Sequence, residues 1–528
     1  MPHEPAPPII ARSIGTGPPS PAWAKVIDQT KCVGCHACTT ACKSENDVPL
    51  SVTRTFVKNV DVGAFPQARR AFQVTRCNQC TDAPCVAACP TSAMYVRDDG
   101  IVDFDKNACI GCKFCMAACP YDAIFINPED HCAEKCNFCA HRLEVGLEPA
   151  CVVVCPTQAI MVGDLNDPDS AVAQIVNREP VSVRRPEKGT RPKLFYKGAT
   201  QATLDPLAAG RPEGDTYAWA EQPTGPHIVQ GPTTAQSSSA AAIISYDIAH
   251  RAPWDWRVSA YTWTKSIAAG AYLVPLLLVL LGRLDAASSL WVWIAPVVAA
   301  TFLALTAALL IWDLEHPERF YLILTRPQWR SWLARGGIIL GGFAAVLGLH
   351  LLAAIIDAPA LRTGAAVAGL PLALLTAVYT AYLFAQAKAR DLWQSPLLPP
   401  HLAVQAFLAG AAVLLPIQAW RTDGVTHALG WVLGGATLAH LLFVLGEVTL
   451  PHVTAHARLA TYAMTGGRYR WPYRASLALV ALALLAAAGV VSVGLGGGLV
   501  AAAAVVALAG LALHEHAYVQ AGQSVPLA

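Results

Sequence analysis

Seventeen cysteines lie between Cys32 and Cys155, and none follows in the long remainder of the chain. Sixteen fall into four groups. The first is Cys32, Cys35, Cys38 and Cys42, spaced C-x2-C-x2-C-x3-C. The second is Cys77, Cys80, Cys85 and Cys89, with one gap widened to four residues. The third, Cys109, Cys112, Cys115 and Cys119, repeats the first spacing. The fourth, Cys136, Cys139, Cys151 and Cys155, carries an eleven-residue insertion, and Cys132 is left over. A segment this dense in cysteine has little apolar material for a core, so bound metal must supply much of its stability.

The x2-x2-x3 run is an iron–sulfur signature. Three thiolates on one tight loop grip three irons of a cubane, and the fourth points away to another cubane. Proline follows Cys89, Cys119 and Cys155 and stops each segment; Lys43 follows Cys42 and predicts a looser or more polar corner. Zinc would ask for isolated, closed sets of four, and exported disulfides would not come in such tight pairs. Sixteen ligands fit four [4Fe-4S] clusters. With last cysteines exchanged, the sets become 77/80/85 with 119, and 109/112/115 with 89. Pairing the outer groups gives 32/35/38 with 155, and 136/139/151 with 42. Every group has its full set of thiolates, so no open iron is expected, and the module moves electrons. Cys132 reads as a small buried hydrophobe beside the clusters.

Around the cysteines, 24–30, 71–76, 123–129 and 159–165 read as short strands, and 95–105 as a hairpin turning near Asp99-Gly100. The expected fold class is an α+β ferredoxin-like module followed by an all-α bundle. Residues 1–23 read as a flexible tail without an export signal, 24–190 as the cluster domain, and 191–257 as an irregular linker. Residues 258–517 read as the membrane anchor and 518–528 as a tail. The anchor holds eight apolar runs, at 261–282, 290–312, 336–356, 364–386, 401–419, 425–446, 474–495 and 497–515. Each is near the roughly 20 residues that cross a bilayer. On the module's side the loops hold Arg319, Arg326, Arg330, Arg335, Lys388, Arg390, Arg458, Arg468, Arg470 and Arg474. The other side holds Arg283, Arg362 and Arg421. Ten against three predicts a cytoplasmic module in an inner-membrane protein, although the same arginines could serve to dock the module. The net charge of +2 gives no footprint for nucleic acid.

The segment TRCNQCTDAPCVAACPTSAMYVRDDGIVDFDKNACIGCKFCMAACPYDAI, with CVGCHACTTACKSEN and CNFC…PACVVVCPTQAI, resembles the four-cluster subunit of complex iron–sulfur molybdoenzymes. WDLEHPERFYLILTRPQWRSWLARG at 312–336 and the eight runs resemble the quinone-interacting anchor of polysulfide and nitrite reductase complexes. The two subunits look fused here. The resemblance implies a large partner with a molybdenum or tungsten bis-pterin cofactor, the membrane quinone pool as second partner, and no haem.

A quinone site needs polar partners for two carbonyls and a proton route, so ionisable residues in the anchor are the candidates. They are Asp313, Glu315, His316, Arg319, Tyr379 and His440. Asp313, Glu315 and Arg319 could instead be a salt-bridged helix end, and His316-Pro317 a helix stop. His440 and Glu447 stand two turns apart on one face and could form a polar lining. Two other functions fit less well. A polyferredoxin tethered to the membrane would serve soluble redox partners without quinone. A transporter would need a polar midplane cavity, and only scattered Gly and Pro275 hint at one.

Overall fold

A computed structural model describes residues 20–63, 66–210, 242–418, 424–493 and 497–527. Its strands are β1 (Trp23–Asp28), β2 (Thr55–Val62), β3 (Arg69–Arg76), β4 (Met94–Val96), β5 (Val102–Phe104), β6 (Ile124–Ile126), β7 (Ala133–Lys135), β8 (Ile160–Asp164), β9 (Val181–Ser182), β10 (Leu194–Lys197) and β11 (Ala242–Tyr246). They form one sheet ordered β8-β1-β10-β9, another ordered β11-β2-β3, and the hairpins β4-β5 and β6-β7. The hairpin expected over 95–105 is β4-β5, with Gly100 at positive φ in its turn.

Period-two alternation lets β1 serve two faces. Ala24 and Val26 pack on Val172 and Phe195. Ile27 packs with Ile160 and Leu194 against Cys38 and Cys151. The sheet is thus a wall whose one side faces thiols.

Residues 191–257 correct the linker expectation. β10 lies parallel to β1 at the centre of the first sheet, and β11 extends the second sheet by pairing with β2. Both pairings join segments distant in sequence, which local pattern cannot register. The middle of the expected linker, 211–241, lies outside the described residues, as does most of the expected N-terminal tail.

Among the described residues, eight helices are long and apolar enough to cross a membrane. They are Trp256–Leu280, Leu290–Trp312, Trp332–Ile355, Pro359–Gln386, Leu398–Gln418, Gly424–Thr449, Arg470–Gly489 and Gly498–Gln523. Spans one to four pack together, as do spans five to eight, and span one joins the halves by packing on spans five and eight. Span one is 78% buried, the most of the eight, so it is the central post. The eighth helix extends beyond residue 517, and what reads as a C-terminal tail is tied down. Arg390 donates to the carbonyls of Gln523 (2.9 Å) and Val525 (3.0 Å), and Arg184 to that of Leu527 (3.0 Å).

Small residues permit close helix contact in a bilayer, where the hydrophobic drive between helices is absent. Gly270 and Gly410 meet backbone to backbone where the halves join, and a Cβ on either would overlap the facing main chain. Overpacking such a contact costs roughly 1–3 kcal/mol. Gly270→Leu should therefore lower the thermal midpoint of the detergent-solubilised chain; an unchanged midpoint would show that this contact carries no load.

Candidate functional site

The four cysteine groups share one backbone device. The residue before the second cysteine is left-handed in each: Gly34 (φ 70°), Gln79 (φ 48°), Gly111 (φ 68°) and Phe138 (φ 67°). The third residue after the cysteine of each Cys-Pro is left-handed too, at Ser92, Asp122 and Gln158. The reversals at Ser92 and Gln158 aim backbone N–H groups at sulfur: Met94 donates to Cys89 (3.5 Å) and Ala159 to Cys155 (3.2 Å), and from elsewhere Ala133 donates to Cys109 (3.5 Å). Cys42, lacking the proline, sits inside the longer helix Ala37–Glu45. That corner is polar but not loose, because Lys43 donates to the carbonyls of Pro49 and Val52, both at 2.7 Å.

The seventeen thiols form no disulfide. Cys109, Cys112 and Cys115 line a cavity with Cys89. Cys32, Cys35 and Cys38 line another with Cys155. Cys77, Cys80 and Cys85 crowd around Cys119. Cys42 sits among Cys136, Cys139 and Cys151. The thiols grouped in this way are those that the exchanged sets would draw on. Neighbouring sets are also in electrostatic range: Cys115 of Cys85, Cys77 of Cys136, and Cys38 of Cys151. The sets therefore stand in a row, from 89/109/112/115 through 77/80/85/119 and 42/136/139/151 to 32/35/38/155.

Burial pushes Cys38 up to about 11, and Cys42 and Cys80 up to about 12. Buried thiols so disinclined to ionise fit a thiolate-bound cluster, whose iron supplies the compensating charge. The third set in the row has extra help. Burial would raise Cys151, but Arg76 (2.9 Å) and Lys25 (3.7 Å) beside its sulfur outweigh that and bring it down to about 7. Asn46 also donates to Cys42 and Cys139. Cys132 stands behind Cys109, off the cavity wall, with its thiol on the Lys106 carbonyl at 3.3 Å.

The first set in the row rests on the helical half. Glu315 and His316 donate their N–H groups to the carbonyls of Gly111 (3.4 Å) and Ile110 (3.2 Å). Arg319 donates to those of Lys106 (2.9 Å) and Cys109 (3.1 Å). Trp254 donates to that of Cys112 (3.2 Å), and Lys113 pairs with Asp313 (3.4 Å) and Glu315 (3.2 Å). His316 is held on both ring nitrogens, by Glu318 (3.0 Å) and the Asp130 carbonyl (2.9 Å). Asp313, Glu315 and Arg319 thus bond across to the cysteine module rather than to one another. Burial lifts the Asp313 carboxyl to about 6 despite Lys113 and Arg257 beside it.

The other two candidates lie elsewhere. Tyr379 is buried in span four, under the ammonium of Lys265 at 5.2 Å and against Gly336. His440 is buried with His401 and Glu447. His350 instead bonds Tyr272 (3.1 Å) and packs on Trp291. Lys265 was not a sequence candidate, yet a lysine within an apolar run is itself a signal.

Comparison with known proteins fits this geometry. Residues 246–527 match the family model described as "Polysulphide reductase, NrfD", which is just over half of the chain. The chain belongs to the NrfD family. Residues 24–90 and 69–165 match two models of a 4Fe-4S dicluster domain, so an iron–sulfur module precedes the NrfD-type half. One tetrathionate reductase subunit of Salmonella typhimurium is 43% identical over 199 residues, 36% of this chain and 78% of that one. One polysulfide reductase chain of Wolinella succinogenes is 43% identical over 176 residues, 33% of this chain and 92% of that one. The arsenate respiratory reductase iron–sulfur subunit ArrB of Shewanella is 36% identical over 219 residues, 32% of this chain and 94% of that one. This NrfD-family chain is thus a multi-pass membrane protein that carries [4Fe-4S] clusters and transfers electrons.

Two measurements test the cysteine sets. Cys132→Ser should keep about sixteen irons per chain, and loss of four would make it a ligand. Arg76→Gln removes a cation from the Cys151 sulfur and from beside Cys38, so the 42/136/139/151 cluster should shift to a more negative potential in a redox titration, with a smaller shift at 32/35/38/155; four unmoved potentials would contradict the placement.

Proposed function

We propose that this chain passes electrons between a molybdenum- or tungsten-containing catalytic partner and membrane quinone, through four [4Fe-4S] clusters bound by the four exchanged cysteine sets. The observation that carries this reading is the docking of loop 106–115 on the ends of the spans by Glu315, His316 and Arg319. It sets one end of the thiol row against the membrane half. At the other end Cys35 is exposed, and Val33, Val153 and Val154 are bared to solvent beside it. That apolar rim suits a protein partner. Each cluster, when bound, supplies a one-electron change of charge.

Quinone is proposed to bind between the Cys89/Cys109 cavity and the pair Tyr379–Lys265. Lys265, now held on the Ala377 carbonyl at 2.6 Å, and the Tyr379 hydroxyl would orient the two ring oxygens. Asp313, with its raised affinity for a proton, would exchange protons with the ring. His316 and Arg319 hold the junction at this mouth. The ten cationic residues on the module's side favour a cytoplasmic placement. Arg319, Arg335 and Arg390 are also engaged structurally, so the charge argument rests on the others.

The test is purification with native partners. A copurifying subunit should contain molybdenum or tungsten, and added quinol should produce the paramagnetic signals of reduced clusters. Tyr379→Phe should slow that reduction by on the order of tenfold with iron content unchanged. Clusters that stay silent toward quinol in the intact complex would favour a membrane-tethered polyferredoxin instead. Placement is checked by protease access: digestion of the cysteine module in right-side-out vesicles would put it on the opposite face.

A further inference from the structure

A second constellation lies in the half of the bundle formed by spans five to eight, apart from the thiol row. His401 of span five, His440 of span six and His514 of span eight converge, each at most 1% exposed. One ring nitrogen from each lies within 4.8 Å of the others. His401 Nε2 and His440 Nδ1 are 2.8 Å apart, and the His514 ring sits 4.8 Å from that of His440, centroid to centroid. The rings come from three helices, so tertiary packing alone unites them.

Three imidazoles in an apolar interior need a reason. Hydrogen bonding among themselves leaves work undone. His514 Nδ1 is buried without a partner, and so are Gln405 Oε1 and Glu447 Oε2. A buried polar atom left unpaired is costly in an apolar interior. A cation at the centre would answer most of these needs at once. It would take one nitrogen from each ring in place of the proton now shared by His401 and His440. Gln405, whose amide nitrogen is 3.4 Å from His401 Nε2, can turn its free oxygen inward as a fourth donor.

The outer contacts have the right form as well. Glu447 Oε1 lies 3.3 Å from His401 Nδ1, which fixes that ring with Nε2 facing the centre. This is the carboxylate–histidine–metal arrangement. Glu515 lies beside Gln405. Glu515 also faces Lys265, so Glu447 is the carboxylate that offsets the ion's charge in these low-dielectric surroundings.

We propose that His401, His440 and His514 form a site for a divalent transition-metal ion of the zinc class, with Gln405 as fourth donor and Glu447 orienting His401. Nitrogen donors about 2.0–2.1 Å from a tetrahedral ion are roughly 3.4 Å apart, so ring movements of about 1 Å or less close the shell. The site has no open position for substrate and joins three helices, so its role is to lock the second half of the bundle. It does not depend on the quinone reading.

The experiment uses the whole chain in detergent, made without a histidine tag, incubated with Zn2+ and washed with chelator. Zinc and iron are then counted per chain. About one zinc is expected, falling to below about one-tenth in His440→Asn and His514→Asn, with iron unchanged. His350→Asn, a buried histidine outside the set, should keep its zinc. Should the triad variants not fold, zinc-edge X-ray absorption of the unaltered chain decides. A nitrogen and oxygen shell near 2.0 Å with imidazole scattering supports the site. A sulfur shell, which would mean zinc lodged among the cysteines, overturns it. So does an unaltered chain that retains no zinc, or triad variants that retain all of it.

Discussion

Crowding sixteen thiols, most of them buried, into one small module requires something cationic to join them. That requirement shapes the first half of the chain. The strands are short, several of three residues, and the walls they build have thiols on one side. No single cysteine group can close a set by itself, because each fourth cysteine faces a partner group. Cys89 is therefore tied to the loop at 109–115, and Cys155 to the loop at 32–38. Those exchanges link segments far apart in sequence and do the work that a larger apolar core would otherwise do.

The same exchange sets the four sets in a row, and a row has ends. One end is partly exposed at Cys35, beside bare valines. The other is clamped to the spans through backbone carbonyls of its own cysteine loop, with Arg319 bridging Lys106 and Cys109. Contacts to main-chain carbonyls leave little room for the loop to shift against the helices. Joining both halves in one chain fixes their ratio at one to one. Strand β11, which leads into span one, is itself part of the module's second sheet, so the connection is built into the fold.

Much of this was legible in the sequence because it is local. Cysteine spacing, proline after three of the last cysteines and eight apolar runs all lie within short windows. What escaped detection is nonlocal. β10 is four residues long and gains its place by pairing with β1. The end of the chain looks like a loose tail until Arg390 and Arg184 are seen to hold it. Among the proposed quinone residues, Asp313, Glu315, His316 and Arg319 are neighbours in sequence and stay together in space. Tyr379 and His440 separate, since only packing decides which interior each span presents. His514 attracted no notice alone; its meaning lies in His401 and His440, which reach it from other helices.

The row of four is the claim on which the electron path stands. An iron-edge anomalous difference map of the whole chain tests it most directly. Four peaks are expected, each next to its neighbour in the order of the enclosing sets 89/109/112/115, 77/80/85/119, 42/136/139/151 and 32/35/38/155. A missing peak, or a cluster held by all four cysteines of a single sequence group, would contradict it.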